Sequence, residues 1–180
     1  MNLNKKAKIF IAMFFFIWTI VIIIVVVHYI NERELKKRIE NSKATRTLVL
    51  DDISTAITLE ELYDLEQSKE YLIERGSNIK NQEMVTVTFK DMFLYGSACK
   101  KRFVFYDNVL GSFTVYYDAS QWTPGNVYEE LVKINGEPDE TNVKSQAYLR
   151  DVYFWYGKNG TLVMINDKFT KTIEIWFDMR

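Results

Sequence analysis

The residue types best suited to covalent chemistry are scarce in this chain, and the most reactive of them is one cysteine. Cys99 is the sole cysteine, and the three residues after it are basic (Lys100, Lys101 and Arg102). Neighbouring cations lower the pKa of a thiol and favour the nucleophilic thiolate. A catalytic thiol also needs a base, however, and the sole histidine, His28, lies at the end of an N-terminal apolar run. We therefore interpret Cys99 as an exposed thiol in a polar hairpin.

Carboxylates and phosphate-binding motifs do not provide a catalytic site either. Adjacent acidic residues occur as four pairs, namely Asp51-Asp52, Glu60-Glu61, Glu129-Glu130 and Asp139-Glu140. Adjacent residues of a helix do not face each other, so the carboxylates of a pair do not form an acid–base dyad. The stretch "GSACKK" lacks the spacing of a phosphate-binding loop, and one histidine plus one cysteine supply no metal-ligand set. The sequence predicts no catalytic, cofactor-binding or metal-binding residue, and no enzyme.

Composition narrows the class of protein further. A net charge of −1 provides no basic footprint, so nucleic acid is not expected as a partner. A single cysteine excludes an internal disulfide, and with it a small secreted scaffold held by disulfides. Aromatic residues make up 15% of the chain and concentrate in its C-terminal part. A folded protein rich in aromatic strands is therefore expected.

The N-terminal part of the sequence predicts a membrane anchor. Residues 9–27 are all apolar except Thr19, and Tyr29 and Ile30 extend the run. At 1.5 Å per residue, about 20 helical residues cross a hydrocarbon core of about 30 Å. The run exceeds the apolar core of a signal peptide and lacks a small-residue cleavage site. We therefore interpret residues 1–8 as a tail, residues 9–30 as a transmembrane helix in contact with the bilayer, and residues 31–45 as a charged helical stalk.

Two stretches of the remaining sequence follow the same order of features. They are "FLYGSACKKRFVFYDNVLGSFTVYYD" (93–118) and "FWYGKNGTLVMINDKFTKTIEIWFD" (154–178). Aligning their Tyr-Gly dipeptides gives an offset of 61 residues, and aligning their C-terminal ends gives 60. Upstream, "TLEELYDL" matches "VYEELVKI" at an offset of 69. Such self-similarity predicts a tandem duplication, with a first repeat at 46–118 and a second at 119–180.

Local signals predict the elements of each repeat. In the second, Asn126 is the expected N-cap of a helix and Gly136 the residue that ends it. Asn159-Gly160 predicts a type I′ hairpin. The strand that follows alternates, with Ile173, Ile175 and Phe177 on one face, and Phe113, Val115 and Tyr117 match them in the first repeat. The predicted fold class is α+β: an N-terminal transmembrane helix followed by two tandem helix-plus-antiparallel-sheet repeats.

The second repeat resembles a known family. "GNVYEELVKINGEPD" (125–139) fits a "G-x-[ST]-x-x-x-V-x-x-[LI]-x-G-x-P-D" pattern that is typical of SmpA-like and β-lactamase-inhibitor-like (BLIP-like) proteins. The matching positions are Gly125, Leu131, Ile134, Gly136, Pro138 and Asp139. The β-lactamase inhibitor is similar in having two such units in tandem. Val127 stands where the pattern has Ser or Thr, and the first repeat lacks the Gly-x-Pro after its helix. The resemblance implies the fold, and no inhibitory residue is carried over.

Membrane orientation is predicted differently by charge and by resemblance. Three lysines precede the apolar run and six basic residues follow it by residue 46, so the positive-inside rule favours a cytoplasmic C-terminal domain. Proteins of the similar families act in the envelope or beyond, which implies a cell-membrane protein whose folded part is extracytoplasmic. We retain the extracytoplasmic placement as the expectation, against the charge count.

Strand alternation leaves several aromatic residues on the face away from the predicted core. We expect Tyr116, Tyr153 and Trp176, with Glu174 for polarity, to bind a partner protein on this face. The predicted function is a membrane-anchored protein-binding module that engages an envelope partner, in an inhibitory or regulatory role. The alternative is a structural or assembly component of the envelope, in which the aromatic face only packs the repeats or a homodimer. Exposure of Trp176 and Tyr116 would favour the first, whereas Trp155 is better suited to the core.

Overall fold

The chain consists of two compact units in a computed structural model that describes residues 5–51, 53, 56–65, 70–118, 123–142 and 149–179. The first unit is Met1–Glu40 and the second is Asn41–Arg180. The predicted junction between repeats at residues 119–122, and Asp52 of one acidic pair, lie outside the described residues. The second unit contains the whole sheet.

One long helix accounts for the N-terminal part of the chain. α1 spans Lys5–Thr45, and its section Met13–Thr45 contains an 18-residue window of mean hydropathy 2.7 with none of that window buried. The helix is therefore long and apolar enough to cross a membrane. Residues 31–45, the predicted stalk, continue it without a break, and Glu34 pairs there with Lys37 at 3.0 Å. The last turn of α1 belongs to the second unit.

Within the described residues, the second unit adds two short helices and eight strands. In chain order they are α2 (Leu59–Leu65), β1 (Tyr71–Ser77), β2 (Glu83–Leu94), β3 (Ser97–Tyr106), β4 (Val109–Tyr117), α3 (Pro124–Asn135), β5 (Glu140–Asn142), β6 (Arg150–Gly157), β7 (Gly160–Asp167) and β8 (Thr172–Asp178).

All eight strands form one antiparallel sheet in the order β1-β2-β3-β4-β8-β7-β6-β5. Each half of the sheet is a four-stranded meander that follows a short helix along the chain. The halves join where β4 pairs with β8, and Val115 lies directly opposite Ile175 at the middle of this pairing. An α+β fold with an antiparallel sheet is thus confirmed.

One face of the sheet holds the hydrophobic core. The predicted alternation is confirmed in both halves, because the two matched sets of three residues are all buried: Phe113, Val115, Tyr117, Ile173, Ile175 and Phe177. Leu62 of α2 and Leu131 of α3 are 1% and 0% exposed and belong to the same cluster. Leu48 and Leu50, from the segment that follows α1, complete it. Both short helices therefore cover the same face.

The helix starts follow local sequence rules. Thr58 and Glu61 form a reciprocal capping box at α2: the Thr58 N–H donates to Glu61 Oε2 at 2.8 Å, and the Glu61 N–H donates to Thr58 Oγ1 at 3.2 Å. The expectation for α3 is wrong by one turn, because this helix begins at Pro124 and Asn126 lies inside its first turn. Proline fixes φ near the helical value and tolerates the first position. The predicted helix end holds, since Gly136 follows α3 with φ +75°.

The β6–β7 hairpin differs in its turn from the expected type I′ geometry. Gly157 pairs with Gly160, so Lys158 and Asn159 are the two turn residues. Gly160 begins β7 with φ +141°, and a Cβ there would lie 2.0 Å from the carbonyl oxygen of Asp178. Glycine is required at this position because a side chain would collide with the end of β8. The neighbouring turn residue Asn159 makes side-chain contacts that are described below.

Candidate functional site

The face of the sheet opposite α2 and α3 is the candidate functional surface. We call it the open face, and strand register assigns to it Met84, Thr86, Thr88, Phe93, Ala98, Lys100, Arg102, Val104, Tyr106, Ser112, Thr114, Tyr116, Val152, Phe154, Tyr156, Thr161, Val163, Ile165, Glu174, Trp176 and Asp178. The two helices pack elsewhere: Tyr63 of α2 stacks on Tyr71, and Tyr128 of α3 lies against Tyr153.

Trp176 is the most exposed aromatic side chain on the two central strands, β4 and β8, of the open face. Its neighbours in the strand, Ile175 and Phe177, are buried, whereas Trp176 is 47% exposed. Alternation in β8 directs it away from the core, between Thr114 on β4 and Val163 on β7. Its indole N–H donates to Glu174 Oε1 at 2.5 Å. The hydrogen bond fixes the indole edge and leaves part of the ring in solvent.

Tyr116 separates two concavities on the open face. One has a volume of about 370 Å³ and is lined by Tyr116, Trp176 and Arg102 among others. The other has a volume of about 580 Å³ and is lined by Tyr116, Glu174 and Lys100 among others. Since Tyr116 lines both and lies opposite Glu174 across the β4–β8 pair, three of the four predicted binding residues share one region.

The fourth predicted residue, Tyr153, is on the wrong face. It pairs with Met164, which in turn pairs with the core residue Ile175. Its ring centroid lies 4.7 Å from that of Tyr128 and 6.3 Å from that of Trp155. Tyr153 therefore packs under α3 with the fully buried Trp155 and is not available beside Trp176.

The open face changes chemical character from one half to the other. Lys100 and Arg102 of the first half are exposed, and the β4 residues directly opposite them are Tyr116 and Thr114. The second half carries an apolar and aromatic patch, with parallel rings of Phe154 and Tyr156 6.4 Å apart and Val163 in the neighbouring strand. Trp176 lies beside the boundary between the basic and the apolar part.

Cys99 is not the exposed hairpin thiol that the sequence suggested. It lies in β3, is 6% exposed, and faces the core. Burial raises the pKa of the thiol to about 11, and the nearby Lys101 ammonium lowers it only in part. The flanking basic residues do not create a thiolate because Lys101 is committed to an ion pair with Asp51, in which its side chain is 6% exposed. Cys99 is therefore an unreactive core residue.

Sequence reasoning missed a buried carboxylate that forms hydrogen bonds with residues at the start of the second unit. Asp139 is 1% exposed and accepts hydrogen bonds from Ser42 Oγ at 2.6 Å, Arg46 Nη1 at 2.8 Å and the Tyr156 N–H at 2.9 Å. Pro138-Asp139 was noted only as part of the family pattern. The role was not visible because the partners lie 97 and 93 residues earlier in the chain.

Two asparagines hold the next residues of the same segment. Asn159 Oδ1 accepts from the Leu48 N–H and its Nδ2 donates to the Leu48 carbonyl, both at 2.8 Å. Asn135 makes the same pair with Val49, at 2.8 and 3.0 Å. Each amide thus replaces the backbone of a neighbouring strand. We call Asp139, Asn135 and Asn159 the anchoring triad; it has no catalytic geometry and fixes residues 42–49.

Within the part of the chain that the structure describes, no group of three or more His, Cys, Asp or Glu side chains could hold a metal ion. No protein-family model matches the sequence, and neither a curated protein nor a solved structure matches the chain. The functional argument therefore depends on the geometry of the open face.

Proposed function

We propose that this protein is a membrane-anchored module that binds another protein through the open face, with Trp176 and Tyr116 as anchors and Glu174 fixing the indole. The observation that carries the proposal is the exposure of Trp176 at the centre of the sheet. Tryptophan and tyrosine are the residues most enriched among the strongest contributors to protein interfaces.

The exposed apolar area of Trp176 has a measurable cost in water. Burying a tryptophan side chain removes about 250 Å² from solvent at most, so the exposed 47% corresponds to roughly 120 Å². At about 25 cal/mol per Å², covering it would contribute about 3 kcal/mol to binding. The halves of the sheet join through the β4–β8 hydrogen bonds, and Trp176 stays exposed beside that junction. Packing of the halves therefore does not account for this surface.

We also propose that the second unit consists of two tandem repeats of the type found in BLIP-like and SmpA-like proteins. The strand order is symmetric about the β4–β8 pair. An offset of 60 residues makes Val115 equivalent to Ile175, and these two residues lie directly opposite each other. A two-fold axis between them would exchange the two meanders. An experimental structure in which the halves fail to superpose about this axis would contradict the duplication.

The proposed location is the cell membrane, with α1 crossing it once and the open face outside the cytoplasm. α1 supports the anchor by its length and apolar composition. Orientation is tested by Phe169→Cys, because Phe169 is 79% exposed. A membrane-impermeant maleimide should label this variant in intact cells, whereas Cys99 should stay unlabelled because it is buried. Labelling only after lysis would place the second unit in the cytoplasm.

The binding proposal is tested with Trp176→Ala in the full-length protein. Loss of a true interface anchor costs about 2 kcal/mol or more, which is at least about a 30-fold loss of affinity. The melting temperature should change little, because the side chain is half exposed. Phe169→Ala is the matched control: it removes an even more exposed aromatic side chain from the β7–β8 turn, away from the open face.

Capture is measured by placing a photo-crosslinking amino acid at position 176 or at position 169 in living cells. A discrete adduct from position 176, absent from position 169, supports the proposal. A collapse of the melting temperature in Trp176→Ala would instead identify Trp176 as a core residue. Equal adducts from both positions would show that contact depends only on exposure, and the binding function would be rejected.

A further inference from the structure

β1 is an edge strand with exposed side chains. It is hydrogen-bonded to β2 on one side and forms the edge of the described sheet on the other. All seven of its residues are exposed, and three consecutive ones are large and apolar: Tyr71 (46%), Leu72 (53%) and Ile73 (37%). An edge strand presents a row of unpaired N–H and C=O groups, which is a template for another strand.

Natural sheets often protect such an edge with proline, lysine or a bulge, and β1 has none of these, although it carries Glu74 and Arg75. It contains neither proline nor lysine, and its register with β2 runs from Tyr71 opposite Phe89 to Ser77 opposite Glu83 without a bulge. β1 is therefore a candidate pairing strand.

Pairing of β1 with a second copy is restricted by symmetry. Two identical strands that pair antiparallel are related by a two-fold axis perpendicular to the sheet. Residues directly opposite each other then point to the same face, so the axis must pass at one residue, which faces its own counterpart. Each register is therefore specified by the residue on the axis.

Charge excludes three of the seven registers, and an axis at Tyr71, Gly76 or Ser77 would leave at most three residues of β1 paired. An axis at Glu74 places this carboxylate opposite itself, and an axis at Arg75 does the same with two guanidinium groups. An axis at Leu72 places Glu70 of one copy opposite Glu74 of the other. Like charges directly opposite in a sheet are destabilising.

An axis at Ile73 avoids every such conflict. Ile73 then lies opposite Ile73 of the second copy, and Leu72 lies opposite Glu74. Tyr71 lies opposite Arg75, which places a guanidinium beside an aromatic ring in a favourable cation–π arrangement. In this register the residues of β1 match those of a second β1. A strand that binds a different protein does not need to match itself in this way.

We propose that two copies of this chain pair through β1, antiparallel and centred on Ile73, so that their sheets become continuous. The open faces of both copies lie on the same side of the joined sheet. The pairing rests on the edge strand alone and does not depend on the function of the open face.

The first test is disulfide crosslinking of the full-length protein in membranes. Ile73→Cys places two thiols directly opposite across the axis, within reach of a disulfide. Thr141→Cys is the matched control, with an exposed position on the opposite edge strand, and unmodified protein controls for the buried Cys99. Mild oxidation should give a species of twice 21.3 kDa from Ile73→Cys only. The proposal is overturned if this species is absent or if both edges crosslink equally. It is also overturned by an adduct of another mass, which would indicate a foreign strand.

The second test distinguishes the register. Ile73→Lys places like charges opposite each other on the axis, whereas Leu72→Lys places an ammonium opposite Glu74 of the second copy. Sedimentation in detergent should show dimerisation weakened at least tenfold by Ile73→Lys and retained by Leu72→Lys, with both melting temperatures close to that of the unmodified protein. Equal effects of the two lysines, or no effect of either, would contradict pairing centred on Ile73.

Discussion

Replacement of Asp139 by alanine should destabilise the second unit more than any other single change in the anchoring triad. Ser42, which is 6% exposed, and the Tyr156 N–H would each lose an acceptor, at about 1–3 kcal/mol each. The side chain of Arg46 is 26% exposed, so its charge would be partly rehydrated and adds about 1 kcal/mol. The expected loss in the free energy of unfolding is about 4 kcal/mol, within the range for breaking a buried ion pair.

The assay is urea unfolding of the full-length protein in detergent, followed by tryptophan fluorescence, to which the fully buried Trp155 contributes as one of four tryptophans. Asp139→Asn keeps the shape and one acceptor oxygen, so a smaller loss of about 2 kcal/mol is expected. Glu140→Gln is the control: this neighbouring carboxylate has one weak contact, with the Tyr156 hydroxyl at 3.3 Å, and should cost less than about 0.5 kcal/mol. A loss in Asp139→Ala no larger than in Glu140→Gln would refute the assigned role.

Three further outcomes follow from other buried and paired groups. Lys101→Met alone should lower the free energy of unfolding by about 3 kcal/mol, because it removes the buried ammonium group that pairs with the Asp51 carboxylate, and urea unfolding should show that adding Asp51→Asn restores most of the loss. Cys99 should react with a thiol reagent at pH 8 only on unfolding, since burial raises its pKa to about 11; reaction at the rate of a free thiol would show that the core is open there. The backbone N–H groups of Thr170 and Phe169 and the Arg150 side chain hold the pKa of Asp167 at about 2 instead of 3.8. A depressed folded-state pKa means that stability present above pH 4 is lost as the pH falls toward 2, so Asp167→Asn should flatten the melting temperature over that range, and an unchanged acid limb would contradict the assignment.

Elements with strong local signals were predictable from the sequence. The apolar run gives one helix, and alternation in "KTIEIWFD" places Ile173 and Ile175 in the core and Trp176 outside, as the structure has them. These predictions succeed because the side-chain period of a strand decides burial once one face is covered.

Tyr153 was placed on the wrong face because "VYFWY" is apolar on both faces and its own alternation gives no preference. Pairing across two hairpins decides the matter: Tyr153 pairs with Met164, and Met164 with Ile175. Both hairpin loops have an even number of residues, and assuming one residue more or less would reverse the face of every side chain in β6. Loop length was therefore the signal that could have placed Tyr153.

The burial of Cys99 was mispredicted and the role of Asp139 was missed for a different reason. The burial of Cys99 depends on β3 being central in one half of the sheet, and the role of Asp139 depends on residues 42 and 46 reaching it. Neither relation has a local signature, because it arises only when distant segments meet.

The anchoring triad also imposes an order on the synthesis of the protein. Residues 42–49 leave the ribosome early, yet Asn135, Asp139 and Asn159 are made 86 to 111 residues later. At about 5–20 residues per second, this segment waits roughly 5–20 s for its partners. Until then the Leu48 and Val49 backbone groups remain hydrated, and a chain interrupted before residue 135 lacks every member of the triad. Attachment of residues 42–49 is thus a late event of biosynthesis, completed only when the second half of the sheet exists.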